Sequence, residues 1–250
     1  MKKFLAMFML ALALLIPGCQ KQSGNQAGVV EKKVSKNYQQ PYYVFRPDAY
    51  TPKMPLVVAV PGGGEDEAAL LELLKPLAIK DDFVLAVQSF PSGFSGFKNK
   101  EDLKFIGMVQ DLKDSLGIDF SNIYLLGFGE GGTFVQKIAL MYPALVKSAV
   151  LIDTPAFYPA DRLANSVRFL LLADTPTRAE NEKFLKNLKE QGFKAEMKKF
   201  PEEQSAISLD AGREAFAFFV KTMKEAAQAK PAPKDSRQGQ EPAPEAAKEK

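Results

Sequence analysis

The stretch that decides the fold reads Ile123-Tyr124-Leu125-Leu126-Gly127-Phe128-Gly129-Glu130-Gly131-Gly132. Its first four residues form a short apolar run, which is typical of a strand buried on both faces. The glycines that follow mark a sharp turn, and helical spacing resumes over residues 133–142. Strand, glycine turn and helix in this order place the turn at the carboxyl end of a strand, where open α/β sheets bind their ligands.

The same alternation continues on both sides of this turn. Seven runs have the length and apolar character of strands: residues 42–45, 56–60, 83–87, 123–126, 146–152, 167–172 and 195–200. Five runs have helical spacing: residues 68–78, 101–116, 133–142, 179–191 and 211–223. Strands that alternate with helices predict right-handed βαβ units. We therefore expect an α/β fold with a mostly parallel sheet flanked by helices.

Residues 101–132 carry a resemblance to a known family. They contain Glu101-Asp102, Phe105-Ile106, Asp111-Leu112 and Gly117-Ile118-Asp119, followed by the decisive stretch. This segment resembles secreted α/β-hydrolases of the polyhydroxybutyrate-depolymerase and feruloyl-esterase type, which continue as Gly-Phe-Ser-x-Gly-Gly. The resemblance covers residues 42–222, is specific around the turn, and implies an α/β-hydrolase fold for residues 41–225. It also implies that the turn corresponds to a nucleophile elbow.

The sequence departs from that family at the residues that perform the reaction. Gly129 stands at the nucleophile position and has no side chain to form an acyl-enzyme. The sequence contains no histidine, so no imidazole is available as the base, which the resemblance would place near residues 203–205. We therefore predict no catalytic residue. The vestigial elbow comprises Gly127, Gly129, Glu130, Gly131 and Gly132.

Two further parts of the family's site have counterparts here. A glycine loop follows the strand at 56–60 and resembles an oxyanion loop, with a proline where the family often has histidine. This vestigial loop comprises Pro61, Gly62, Gly63 and Gly64. The family's acid would follow the strand at 167–172, where Asp174 is a possible remnant. We expect some backbone donors of the loop, and the amide of Glu130, to survive.

Catalysis by other groups is the main alternative. Ser89, Ser92 and Ser95 follow a strand end and are the best-placed serines for a Ser–Lys dyad, although loop-forming roles are the favoured interpretation. Thr133 is interpreted as a capping or packing residue. The carboxylate pairs Asp81-Asp82 and Glu202-Glu203 are interpreted as solvated loop ends. We predict no metal site and no cofactor.

The first nineteen residues resemble a bacterial lipoprotein signal. Lys2 and Lys3 precede an apolar run over residues 4–16, and Gly18 stands directly before Cys19, the sole cysteine. Residues 1–18 are therefore predicted to be a cleaved signal peptide, with lipid attached to Cys19. This implies a membrane-anchored protein of the cell envelope, in the outer membrane if the cell has one. The alternative is an ordinary secretory signal.

The segments that flank the predicted domain are polar. Residues 19–40 are interpreted as a flexible tether, and residues 226–250, rich in Pro, Ala, Lys and Glu, as a disordered tail. The net charge of +3 is small and forms no basic stripe, so we expect no nucleic-acid partner.

Three functional hypotheses follow. The favoured one is a catalytically inactive lipoprotein that binds an unidentified envelope ligand or partner protein, in the old cleft or on the surface. The second is an ester hydrolase with non-standard catalytic residues. The third is a structural or assembly lipoprotein that acts through its tail.

Overall fold

The structure is a computed structural model and describes residues 28–90, 94, 96–119, 121–200 and 207–228. The strands are β1 Gly28–Val34, β2 Pro41–Pro47, β3 Leu56–Val60, β4 Val84–Val87, β5 Ile123–Phe128, β6 Val146–Ile152, β7 Arg168–Ala173 and β8 Ala195–Lys199. The α-helices are α1 Glu67–Lys80, α2 Glu101–Leu116, α3 Glu130–Met141, α4 Arg178–Glu190 and α5 Leu209–Gln228. A short 3₁₀ turn spans Arg162–Ala164.

All the described strands form one sheet in the order β1-β2-β4-β3-β5-β6-β7-β8. β1 pairs antiparallel with β2, and β2 pairs antiparallel with β4. The five remaining pairings are parallel. The prediction of an α/β fold with a mostly parallel sheet flanked by helices is therefore confirmed.

The central strands are apolar along their whole length because helices cover both faces of the sheet. Every residue of β3 and β5 is buried. On one face, α2, α3 and α4 contribute Phe105, Phe134 and Phe184 to a continuous apolar core. On the other face, α1 and α5 pack Leu74 and Phe219 against the sheet. Both faces of β5 are thereby fixed, which positions the turn at its carboxyl end.

The interpretation of residues 19–40 as a tether is wrong from Gly28 onward. Gly28–Val34 is strand β1, paired along its length with β2. The turn that follows is fixed by Ser35 N–H, which donates to Gln40 O at 2.9 Å, and by Lys36 N–H, which donates to Asp111 Oδ2 at 2.8 Å. The strand was missed because Glu31, Lys32 and Lys33 interrupt its apolar residues and most of its residues are exposed, and its stability comes from pairing with β2. Residues 1–27, with the predicted signal and Cys19, lie outside the described residues.

Helix ends agree with the sequence where a local signal marks them. Gly117, with φ of 66°, ends α2 as expected, and its N–H donates to Lys113 O at 2.7 Å. α3 begins at Glu130 rather than at Thr133 because the turn leads directly into the helix. α5 continues to Gln228, beyond the predicted domain end at 225, and the tail after Gln228 lies outside the described residues. No helix in the described part is both long and apolar enough to cross a membrane.

Candidate active site

The turn at the end of β5 has the backbone of an elbow. Gly129 has φ of 53° and ψ of −124°, and α3 begins at the next residue. The N–H of Gly129 donates to Ile152 O at the end of β6, at 2.9 Å. A non-glycine residue in such a left-handed conformation carries strain of about 1–3 kcal/mol. Position 129 thus has a strand-to-helix turn with positive φ, and its assignment as a vestigial nucleophile elbow stays a prediction.

Three neighbouring glycines are required by packing. A Cβ on Gly127 would stand 2.5 Å from Gly131 O. A Cβ on Gly131 would overlap the carbonyl oxygens of Val60 and Pro61, and one on Gly132 would overlap the hydroxyl of Thr154. These contacts bring the first turn of α3 directly against the ends of β3 and β6.

Gly129 is different, because there is room for a side chain at this position. The nearest atom to a Cβ built on it would be the Cα of Gly62, at 3.9 Å, which is an ordinary contact distance. Packing therefore permits a serine at position 129, at the cost of the backbone strain alone. The absence of the nucleophile does not follow from a steric conflict in this fold.

The oxyanion-like loop is occupied by a carboxylate of the chain itself. Gly62 N–H donates to Glu65 Oε2 at 2.7 Å, and the other oxygen, Oε1, accepts the N–H of Ile207 at 3.2 Å. The carboxylate of Glu130 also lies close, since its Oε2 would stand 3.6 Å from a Cβ on Gly63. Two carboxylates beside the loop oppose any developing negative charge there. Of the backbone donors of this loop, the N–H of Gly62 is therefore engaged.

The cleft between the elbow and the loop is almost filled. Its cavity volume is ≈ 20 Å³, which is room for about one water molecule. Phe134 of α3 occupies most of the cleft. The centroid of its ring lies 4.6 Å from that of Phe90 and 5.5 Å from that of Phe94. The cleft lining consists of Val60, Pro61, Gly62, Gly63, Phe90, Phe94, Glu130, Gly131 and Phe134. Among the described residues, this cavity is too small for an ester or a sugar.

Asp174 lies at the end of β7, as predicted, and is buried. Its Oδ1 accepts the N–H of Thr177 at 3.2 Å and the Thr177 hydroxyl at 3.0 Å. These hydrogen bonds fix the turn that leads into α4. The carboxylate thus has a structural use that requires no histidine.

Sequence reasoning missed Asp153, a second buried carboxylate beside Asp174. Asp153 follows β6, has φ of 44°, and its Oδ1 accepts the N–H of Asp174 at 2.7 Å. Burial raises the pKa of Asp153 to about 6; the Asp174 N–H lowers this pKa, and the nearby Asp174 charge raises it. A carboxylate directly after the apolar run at 146–152 was the signal that could have identified it.

The remaining candidates have structural partners or lie elsewhere. Ser89 is buried after β4, and its hydroxyl donates to Glu67 Oε1 rather than contacting a lysine. The Thr133 hydroxyl donates to Ala156 O at 2.8 Å, in agreement with a packing role. Asp81 and Asp82 form the turn before β4, at the end of the sheet opposite the elbow. Four sequence candidates lie outside the described residues: Ser92, Ser95, Glu202 and Glu203.

The predicted absence of a metal site concerns the carboxylates and the single cysteine of the chain. Among the residues that the structure describes, no group of three or more Cys, Asp or Glu side chains could hold a metal ion. Asp153 and Asp174 form a pair only.

Known structures share this architecture. A hyperthermophilic esterase from the archaeon Pyrobaculum calidifontis superposes with a TM-score of 0.62 and 19% sequence identity. The superposition covers 80% of this chain and 86% of the esterase. The chain has the α/β-hydrolase fold. An esterase of the fungus Rhizomucor miehei gives a TM-score of 0.60 at 17% identity, over 79% of this chain and 83% of that one. An S-formylglutathione hydrolase from Staphylococcus aureus gives a TM-score of 0.62 at 11% identity, over 78% of this chain and 96% of that one.

At these identities the likeness concerns the fold alone. No family model and no curated protein sequence matches the chain. The resemblance to polyhydroxybutyrate depolymerases and feruloyl esterases in particular therefore stays a prediction.

The raised pKa of Asp153 predicts a specific pH dependence of stability. The folded state holds this proton up to about pH 6, whereas the ordinary pKa is 3.8, so the free energy of unfolding falls as the pH rises between these values. The expected fall is on the order of 1–3 kcal/mol. Asp153→Asn, which mimics the protonated carboxyl, should remove this part of the pH dependence. Urea unfolding at pH 4 and pH 7.5 measures it.

The control is Asp48→Asn, because Asp48 is exposed. This variant should keep the pH dependence of the unsubstituted chain. An equal loss of stability between pH 4 and pH 7.5 in Asp153→Asn and in the unsubstituted chain would contradict the assignment.

Proposed function

We propose that this protein is a lipid-anchored protein of the bacterial cell envelope that uses an α/β-hydrolase scaffold for binding and not for catalysis. The observation that carries the proposal is a glycine at the nucleophile position of the elbow. Gly129 has the elbow backbone and room for a side chain, yet provides no nucleophile. The histidine that would activate a serine is also missing from the sequence.

The oxyanion-like loop supports the same proposal. In serine hydrolases such a loop stabilises the negative charge of the transition state through free backbone N–H groups. Here Glu65 already accepts the N–H of Gly62, and Glu130 lies beside the loop. A negatively charged intermediate would have to compete with one carboxylate and approach another. The loop therefore favours a closed, unreactive site.

Catalysis by non-standard residues finds little support in the described contacts. Ser89 is the one predicted serine whose position is described, and its hydroxyl is bonded to Glu67. A Ser–Lys dyad needs a lysine amine as the base, and the partner of this hydroxyl is a carboxylate. The second hypothesis therefore lacks a suitable base at its best-placed residue.

The position of the binding surface follows from the closed cleft. The cleft has a volume of ≈ 20 Å³, whereas ligand pockets usually have about 300–1,000 Å³. We therefore place the binding of an envelope ligand or partner on the outer surface of the domain. The membrane anchor is supported by the sequence of residues 1–19, with Cys19 as the lipid attachment site.

Hydrolysis of short-chain and feruloyl nitrophenyl esters by the full chain tests the catalytic part. We expect rates equal to the buffer blank. Gly129→Ser should also stay at the blank rate, because it restores a hydroxyl without a base. A serine esterase assayed in parallel serves as the positive control. Turnover that survives repurification and disappears in Ser89→Ala would establish the second hypothesis instead.

Substitution of Cys19 tests the anchor. Cys19→Ser should move the protein from the membrane fraction to the soluble fraction and abolish incorporation of labelled palmitate, since the thiol is the predicted acceptor. Gln20→Ser is the matched control and should leave both unchanged. Equal membrane association of Cys19→Ser and the unsubstituted chain would contradict the proposed anchor.

A further inference from the structure

Among the described residues, strand β1 is an edge of the sheet, and no described strand pairs with the backbone groups on its outer side. Its neighbour is β2, and the direction of its hydrogen bonds follows from the turn between them. Ser35 N–H donates to Gln40 O, so the odd-numbered residues of this ladder are bonded to β2. The backbone N–H and C=O groups of Val30, Lys32 and Val34 therefore point towards the open edge. Edges of this kind are templates for another strand.

Exposed apolar side chains are concentrated on the same strand. Val29 is 43% exposed, Val30 is 40% exposed and Val34 is 53% exposed. Because side chains alternate along a strand, Val29 lies on one face of the sheet, and Val30 and Val34 lie on the other. A partner that packs against one face of the sheet could cover the exposed valines of that face only. A strand added beside β1 would cover both faces and would also pair the free backbone groups.

The lysine side chains of β1 do not extend over the outer edge of the strand. Lysine side chains that extend over an edge are a common protection against pairing. Here the Lys32 ammonium lies 5.1 Å from the ring centroid of Tyr43, on the side of β2. Lys33 is held by Glu31 at 3.1 Å along the strand. Both cations are thus drawn to partners within the chain.

We propose that β1 pairs antiparallel with β1 of a second copy, which extends the sheet across a two-fold axis. A two-fold axis perpendicular to the sheet keeps each face of the sheet on the same side in both copies. Odd-numbered residues therefore lie opposite odd-numbered residues, and even-numbered residues opposite even-numbered ones. The residue at the axis lies opposite its own copy. With Lys32 at the axis, Val30 faces Val34 and Glu31 faces Lys33 of the other copy. Both are favourable cross-strand pairs, and each occurs twice.

The neighbouring registers are less favourable. An axis at Glu31 sets two carboxylates opposite each other, which destabilises a strand pair. An axis at Val30 leaves Val34 without a partner among the residues of β1. With the axis at Lys32, the two lysines are opposite each other, but each ammonium is drawn back to its own Tyr43. Self-complementarity is what makes a second copy the fitting occupant of this edge. This inference goes beyond the proposed function and does not depend on it.

Disulfide cross-linking in cells that express the full chain tests the interface and its register. In a hydrogen-bonded antiparallel pair the Cα atoms are about 5.5 Å apart, a separation that a disulfide spans. Lys32→Cys should therefore convert most of the chain to a dimer under mild oxidation. The double variant Val30→Cys/Val34→Cys should do the same.

The single variants provide the register control. In the proposed pair, Val30 and its own copy are about 13 Å apart along the strands, and so are the two copies of Val34, beyond the reach of a disulfide. Val30→Cys and Val34→Cys alone should give no dimer, and neither should Leu163→Cys, whose residue is 83% exposed away from β1. The unsubstituted chain controls for Cys19.

Two results would overturn the proposal. One is a folded Lys32→Cys variant that cross-links no more than Leu163→Cys does. The other is a dimer that forms with Val30→Cys alone, which would exclude this register. Lys32→Pro gives independent evidence, because it removes an outward N–H that the β1–β2 ladder does not use. We expect it to keep the circular dichroism of the unsubstituted chain and to abolish the dimer.

Discussion

The structure depends on the close contact between the first turn of α3 and the ends of β3 and β6. Gly131 and Gly132 have no side chains where the carbonyls of Val60 and Pro61 and the hydroxyl of Thr154 come into contact. This contact sets the height of α3 above the sheet and fixes the elbow at Gly129. It also places Phe134, one turn further along α3, where its ring fills the cleft. The same packing that retains the elbow therefore helps to close the site.

At position 129 the residue that best fits the backbone differs from the residue that catalysis would need. A serine there would be strained by about 1–3 kcal/mol, whereas glycine accepts the backbone conformation freely. Without a base the strained serine brings no catalytic benefit, so glycine stabilises the turn and nothing is lost. Glu65 acts in the same direction, because it binds the loop at Gly62 to the segment at Ile207. We interpret the site as a structural contact that links the loop after β3 to the segment before α5.

Much of this fold could be predicted from local patterns, and the rest could not for identifiable reasons. β3 and β5 are continuous apolar runs, and the glycine turn has its own spacing, so each is visible in a few residues. β1 has charged residues between its valines, is mostly exposed and becomes a strand only through β2. The contact of Glu65 with Ile207 and the pairing of Asp153 with Asp174 join distant parts of the chain. The packing of Phe90 and Phe94 against Phe134, which fills the cleft, also joins residues far apart in the sequence.

Labelling with a fluorophosphonate is the most direct test of the claim that this hydrolase fold is unreactive. The reagent forms a covalent bond with an activated serine, whatever ester the protein might accept. Intact-mass measurement of the full chain should show no adduct after a time that fully labels a serine esterase. A stoichiometric adduct on any serine, such as Ser89, would show that an activating base exists and would contradict the account.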